Sequence, residues 1–320
     1  MSLSESPLIV SLEMDSDPGN ALALACVAFS DPHLTAVVSA AEVPGNRRAA
    51  FARHLLDLLG RDDVQVIAGK VQEQSTLSTT DGLYPLLPYS DDNATSLYQV
   101  VTEMCSAGDA SKPLRWLGLG PLTDLAALLA ADAGAGHRLD LTQRMHIWQS
   151  GGALAHPQRP ERNFQADPHA VQNVLSQASN ISLITSEHSM TAVTELDTHS
   201  PIYHQLAAAS YKQWAKLMTT HIDRWCGRGD GTVAYLHGAL TFAAMRGQFA
   251  TWKERQFDLA GNGCITSGTQ HAAQFSAQVD YPGFLRWLEA TLYASKPARR
   301  PDWDRLLDTL AAAATLGLCT

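Results

Sequence analysis

The residues with the most chemical promise are Asp15 and Asp17, in the run Asp15-Ser16-Asp17-Pro18-Gly19-Asn20. Two carboxylates spaced i, i+2 on extended backbone point the same way, so they can share a hard cation or take a proton from water. The same residues have a purely structural use, because acidic side chains at a helix start bond its free N–H groups and favour its dipole. Leu8-Ile9-Val10-Ser11-Leu12 reads as a short buried strand, Pro18-Gly19 as the turn after it, and Asn20 as the N-cap of a helix running to about Phe29. The acidic pair therefore falls at the carboxyl end of a strand, where open α/β sheets bind ligands.

The elements that must position this turn repeat along the chain. Strands are expected over 8–12, 34–39, 64–67, 114–119, 145–148 and 181–185, and helices over 46–59, 95–106, 122–131, 168–178 and 204–218. In 46–59, Phe51, Leu55, Leu58 and Leu59 make one apolar stripe, with Arg47, Arg48, Arg53 and Asp57 on the other side. Such alternation predicts an α/β fold, a mostly parallel central sheet with helices on both faces. Residues 71–93 and 153–163 read as loops over the sheet edge, the usual roof of a pocket. Beyond residue 240, strands near 257–260 and 274–279 predict a small antiparallel addition, followed by a helix over 281–294. One domain is expected over 1–295. Residues 296–320 carry Trp303, Leu306, Leu307 and Leu310 at helical spacing and read as a docked helical extension.

Composition narrows the partners. The 320 residues are 45% hydrophobic and 17% charged, with a net charge of -9, which argues against a nucleic-acid backbone or an anionic membrane as partner. No apolar run approaches the roughly 20 residues of a membrane span. Five scattered cysteines without Cys-x-x-Cys spacing fit reduced thiols, so a soluble cytoplasmic protein is the expectation.

The acidic turn resembles the signature of the inosine-uridine nucleoside hydrolases, Asp-x-Asp-Pro-Gly-x-Asp-Asp-Ala-x-Ala. Between Gly19 and Ala21 this chain has only Asn20, so two residues and both adjacent aspartates of the signature are missing. Further landmarks follow in family order: Val43-Pro44-Gly45-Asn46, Asp63 to Gly69, Leu119-Gly120-Pro121-Leu122-Thr123-Asp124-Leu125-Ala126, Met145 to Gly152, Glu161-Arg162-Asn163-Phe164-Gln165-Ala166-Asp167-Pro168, and Gly229-Asp230-Gly231-Thr232-Val233-Ala234 set against the late His-Asp-x-x-Ala-Val-Ala element. The likeness runs over about residues 7 to 293.

The resemblance implies hydrolysis of the N-glycosidic bond of a ribonucleoside or related riboside around a calcium ion. It makes Asp17 both metal ligand and general base, and makes Asp230, the Leu119 carbonyl and Asn20 the other metal ligands. Asp15, Asn46, Glu161 and Asn163 become riboside-binding residues, with Trp225, Tyr84 and Asp81 as candidates for the base pocket. Arg162 replaces a family aromatic and, with Arg159, opens a phosphorylated riboside or ADP-ribose as ligand. Gly229 stands where many members carry a leaving-group histidine, with His221 and His237 nearby in sequence. Loss of the aspartates predicts weak or absent Ca²⁺ binding. The competing expectation is a catalytically impaired member that binds a riboside or a protein partner. Relatives imply a homodimer or homotetramer.

Overall fold

A computed structural model describes residues 3–71, 79–85, 96–106, 113–155 and 158–293. The strands are β1 (Leu8–Leu12), β2 (Leu34–Ser39), β3 (Gln65–Ala68), β4 (Leu114–Gly118), β5 (Met145–Ser150), β6 (Asn180–Ile184), β7 (Glu195–Leu196), β8 (Ala234–Tyr235), β9 (Ala250–Leu259) and β10 (Ile265–Val279). The helices are α1 (Pro18–Ser30), α2 (Arg47–Leu58), α3 (Leu97–Ser106), α4 (Thr123–Gly134), α5 (Leu141–Arg144), α6 (Arg162–Ala166), α7 (Pro168–Gln177), α8 (Ser186–Ser189), α9 (Pro201–Ala208), α10 (Gln213–Cys226), α11 (His237–Met245) and α12 (Tyr281–Tyr293).

Eight strands form one sheet in the order β3-β2-β1-β4-β5-β6-β10-β9, parallel except for the β9–β10 pair. The expected doubly covered α/β sheet and its antiparallel end are both present. The chain fills one side of β1 with β2 and β3, then crosses to β4 on the other side. This reversal opens a crevice at the carboxyl ends of β1 and β4, the place where such sheets take ligands.

Side-chain alternation along β1 divides the core. Leu8, Val10 and Leu12 face a layer that includes α1, α10, α11 and α12, while Ile9 faces the opposite layer with Trp116, Leu125 and Val171. Helix α1 is buried from Pro18 to Phe29, which is why its sequence is apolar nearly all round rather than striped.

Two expectations need correction. Asn20 does not cap α1. Asp17 does, its Oδ1 accepting the Gly19 N–H at 2.7 Å, and Pro18, which has no N–H to offer, takes the first helical position. The helix expected over 204–218 is two helices, α9 and α10, since Ser200-Pro201 starts the first early and a turn at 209–212 precedes the second. Residues 296–320 lie outside the described residues.

His221, on α10, ties this layer to the acidic turn. Its Nε2 lies 3.2 Å from the Ser16 carbonyl and 2.9 Å from Thr79 Oγ1. Burial lowers its pKa to about 4. A base with a depressed folded pKa keeps its full contribution above its unfolded value, near 6.5, and loses it as pH falls toward 4. The His221 contribution, about 3 kcal/mol across that window, should appear in denaturant unfolding as the difference in pH slope between wild type and His221→Gln. An unchanged slope in the variant would assign the acid sensitivity elsewhere.

Candidate functional site

The crevice at the switch point is lined from several directions, the end of β5 and α8 among them. Glu13, Asp17 and Asn20 come from the β1–α1 junction, Leu119 from the end of β4, Glu161 to Asn163 from the start of α6, and His237 from the start of α11.

Asp17 holds these parts together. Besides capping α1, it accepts the Tyr235 N–H on Oδ2 at 3.3 Å, and His237 Nδ1 lies 3.8 Å from the same oxygen. That approach requires glycine at position 19, where a Cβ would stand 1.9 Å from the Tyr235 carbonyl oxygen. His237 Nδ1 is 3.1 Å from the Tyr235 carbonyl, so Nδ1 carries the hydrogen and Nε2 is the ring nitrogen left for other partners. Burial pushes the Asp17 carboxyl above its ordinary pKa, opposed first by His237 and then by the two backbone donors.

Asn20 sits one turn into α1 and is 3% exposed. Its Nδ2 donates to the Glu13 carbonyl at 3.0 Å, and its Oδ1 has no partner. The donor bond fixes the amide, because a flip would set two acceptor oxygens against each other.

Glu161 caps α6, its carboxylate accepting N–H groups from Asn163 at 3.0 Å, Phe164 at 3.2 Å and Gly152 at 3.3 Å. Burial outweighs those donors and pushes its pKa up to about 7. Asn163 Nδ2 donates to the Ser150 carbonyl at 2.9 Å. Between them Arg162, largely exposed, reaches Glu13 Oε2 at 3.4 Å, joining two walls of the crevice.

Of the residues expected from sequence, the structure brings together Asp17, Asn20, Leu119, Glu161 and Asn163. It does not bring the others to them. Asp15 lies beneath the turn, paired with the fully buried Arg48. Asn46 stands at the N-cap of α2 in a left-handed conformation, φ 51°. Trp225 is buried in the α10 core layer, with the Arg228 guanidinium 3.6 Å from its ring centroid. Asp81 is exposed and paired with Arg47, and the Tyr84 ring lies tilted against that of Phe51. Asp230 is on an exposed turn, bonded to the Thr232 N–H at 2.9 Å and paired with Arg228 at 3.3 Å.

The residues beside Asp17 are His237-Gly238 instead of Gly229-Asp230. The run His237-Gly238-Ala239-Leu240-Thr241-Phe242-Ala243 keeps the histidine and the last alanine of the His-Asp-x-x-Ala-Val-Ala element but has glycine in place of its aspartate. The signal in the sequence was the buried helix that follows directly, which the 229–234 turn lacks. Glu13 carried no signal because nothing in the sequence shows that Arg48 and Arg162 flank it.

A calcium ion takes about six to eight oxygens, and affinity follows their charge. Three carboxylates line the crevice with Asn20, but both Asp17 oxygens already accept backbone N–H groups, Glu13 is paired with Arg48 and Arg162, and Glu161 caps α6. The other oxygens available are an amide and the backbone. Among the described residues no group of three or more His, Cys, Asp or Glu side chains is gathered for a metal. The donor set does not fit calcium.

The model of the family described as inosine-uridine preferring nucleoside hydrolase matches residues 12–286. The chain belongs to that family, whose members are N-glycosyl hydrolases. Solved structures share the fold. A plant nucleoside hydrolase aligns with TM-score 0.68 at 18% identity, covering 90% of this chain and 99% of its own. The inosine-uridine preferring enzyme of Bacillus anthracis aligns at 0.66 and 16%, with 90% and 99% covered, and a purine-preferring ribonucleoside hydrolase of Gardnerella vaginalis at 0.68 and 17%, with 89% and 98% covered. No curated protein sequence matches. Among the described residues no helix is long and apolar enough to cross a membrane.

Arg48 is the buried counter-charge of this region, reaching Asp15, Glu13 and the Ala41 carbonyl. Arg48→Met should destabilise the fold by about 3–5 kcal/mol, because it strands two carboxylates in a dry site. Thermal unfolding tests this, and a shift of a degree or less would show that water reaches them.

Proposed function

We propose that the chain is an N-ribosyl hydrolase with an altered metal site, acting on a ribonucleoside or related riboside. The observation that carries this reading is the convergence of Asp17, Asn20, Glu161 and Asn163 on one crevice at the switch point of the sheet. Asp17, a carboxylate whose proton affinity burial has raised, takes a proton from the water that attacks the anomeric carbon. Glu161 and Asn163 hold the sugar hydroxyls, His237 Nε2 offers an acceptor in the same crevice, and the departing base takes its proton from solvent water. The bond from sugar to base breaks as the bond from sugar to water oxygen forms. Ligand recognition includes a phosphorylated riboside or ADP-ribose if Arg162 leaves Glu13 for an anion. A cytoplasmic homodimer or homotetramer is proposed from family likeness alone.

A second reading, a riboside or protein binder with little turnover, is favoured by one observation: both Asp17 oxygens already accept backbone hydrogen bonds. The two readings separate on Asp17→Asn. For a hydrolase this variant should lower the rate about 10²- to 10⁴-fold while riboside affinity in calorimetry stays within a few fold. For a binder, wild type and variant alike leave inosine, uridine and ADP-ribose uncleaved.

Glu161 adds a pH signature. It can accept two hydroxyls only as the carboxylate, which predominates above about pH 7. Riboside affinity should rise between pH 6 and 8 in wild type and stay flat in Glu161→Gln. A flat wild-type profile would remove Glu161 from the sugar site.

A further inference from the structure

We infer that the crevice lined by Asp17 and Asn20 excludes a divalent cation and that the Asn20 side-chain oxygen accepts a hydrogen bond directly from a ligand hydroxyl. The inference rests on the riboside reading above for the identity of the ligand, and on three independent features of this chain for the site.

The first is packing. Helix α11 lies against α1 so closely that a Cβ on Gly238 would stand 2.8 Å from Ala23 Cβ and 3.0 Å from Leu119 Cδ1. No acidic side chain fits at 238 without moving one helix from the other. Apolar contact occupies the place of a carboxylate, and a contact between two methyl-bearing walls opens only at the expense of the core around it.

The second is charge. Helices α1 and α11 both begin at the cavity, and neither carries an acidic residue in its first turn. Their amino ends present partial positive charge, and the Asp17 carboxylate caps α1. Glu13 is held by two arginines, Arg48 and Arg162. A dication would meet this field without the charged oxygens that normally compensate its dehydration.

The third is the orphaned acceptor. Asn20 Oδ1 is buried with no partner, it lies 3.5 Å from the Cβ position of Gly238, and Asn20 is one of the residues that line the crevice. Its Nδ2 is anchored on the Glu13 carbonyl, so the oxygen cannot turn away. A buried acceptor without a donor is costly, and a sugar hydroxyl, donor and acceptor at once, satisfies it while its own oxygen accepts from water.

Calorimetry on the full chain tests this in two arms. Calcium chloride titrated to millimolar concentration after chelator treatment should give no saturable heat, and EDTA should leave the melting temperature unchanged. One-to-one calcium binding at micromolar concentration, lost in Asp17→Asn, would overturn the inference, and this arm needs no ligand. Titration with ribose and with inosine should give the same affinity in calcium and in EDTA, and Asn20→Ala, checked for folding by circular dichroism, should weaken it at least tenfold. Wild-type affinity in a folded Asn20→Ala would overturn the acceptor assignment. If neither probe binds wild type, the riboside reading fails, while the calcium arm still decides whether the cavity excludes the cation.

Discussion

Everything at the crevice depends on the double use of Asp17 as a hydrogen-bond acceptor. One oxygen caps α1 and the other accepts from Tyr235 at β8, so one carboxylate registers two helices that start more than 200 residues apart in the chain. The register fixes the turn between Pro18 and Asn20, demands glycine at 19 and draws α11 onto α1 at Gly238. Asn20 then faces the crevice as a consequence of helical geometry, three residues after the cap. A carboxylate with this much structural duty is well placed and poorly free, which is the tension between the hydrolase and binder readings.

Beneath Asp17 the second constraint is a buried electrostatic cluster. Asp15 and Glu13 share Arg48, and Glu42 accepts the Val43, Arg48 and Ala49 N–H groups at the start of α2. Burial raises the Asp15 pKa and Arg48 opposes that rise. The cluster fixes the exit of β1 relative to α2 and thereby the depth of the crevice. Asp15 thus serves the site by holding its floor.

The sheet was legible because its signals are local. Apolar runs such as Leu8–Leu12 and Leu34–Ser39 need no distant residue to be read as buried strands, and six of them alternating with helices leave few topologies. Glu161 and Asn163 were legible only through the family motif they share, while the short helix that Glu161 caps read as loop. Asp230 was not, because two acidic or histidine-bearing turns lie within ten residues of each other and only long-range packing decides which reaches Asp17. Asn20 misled for a related reason: asparagine is a good cap, but Asp17 three residues earlier competes for the same N–H groups and wins by also binding Tyr235. The contribution of Arg48, and with it the true partner of Asp15, follows from a helix whose striping gives no sign that one arginine points inward.

The account stands on the claim that this member of the nucleoside hydrolase family meets its ligand through side chains where a metal-dependent site would use an ion. A crystal structure of the chain grown with both calcium and ribose tests it most directly. The account predicts a ribose hydroxyl within hydrogen-bonding distance of Asn20 Oδ1 and no ion between them. An ion with oxygens from Asp17, Asn20 and Leu119 at about 2.4 Å, and with α11 displaced from α1 to admit it, would contradict the account.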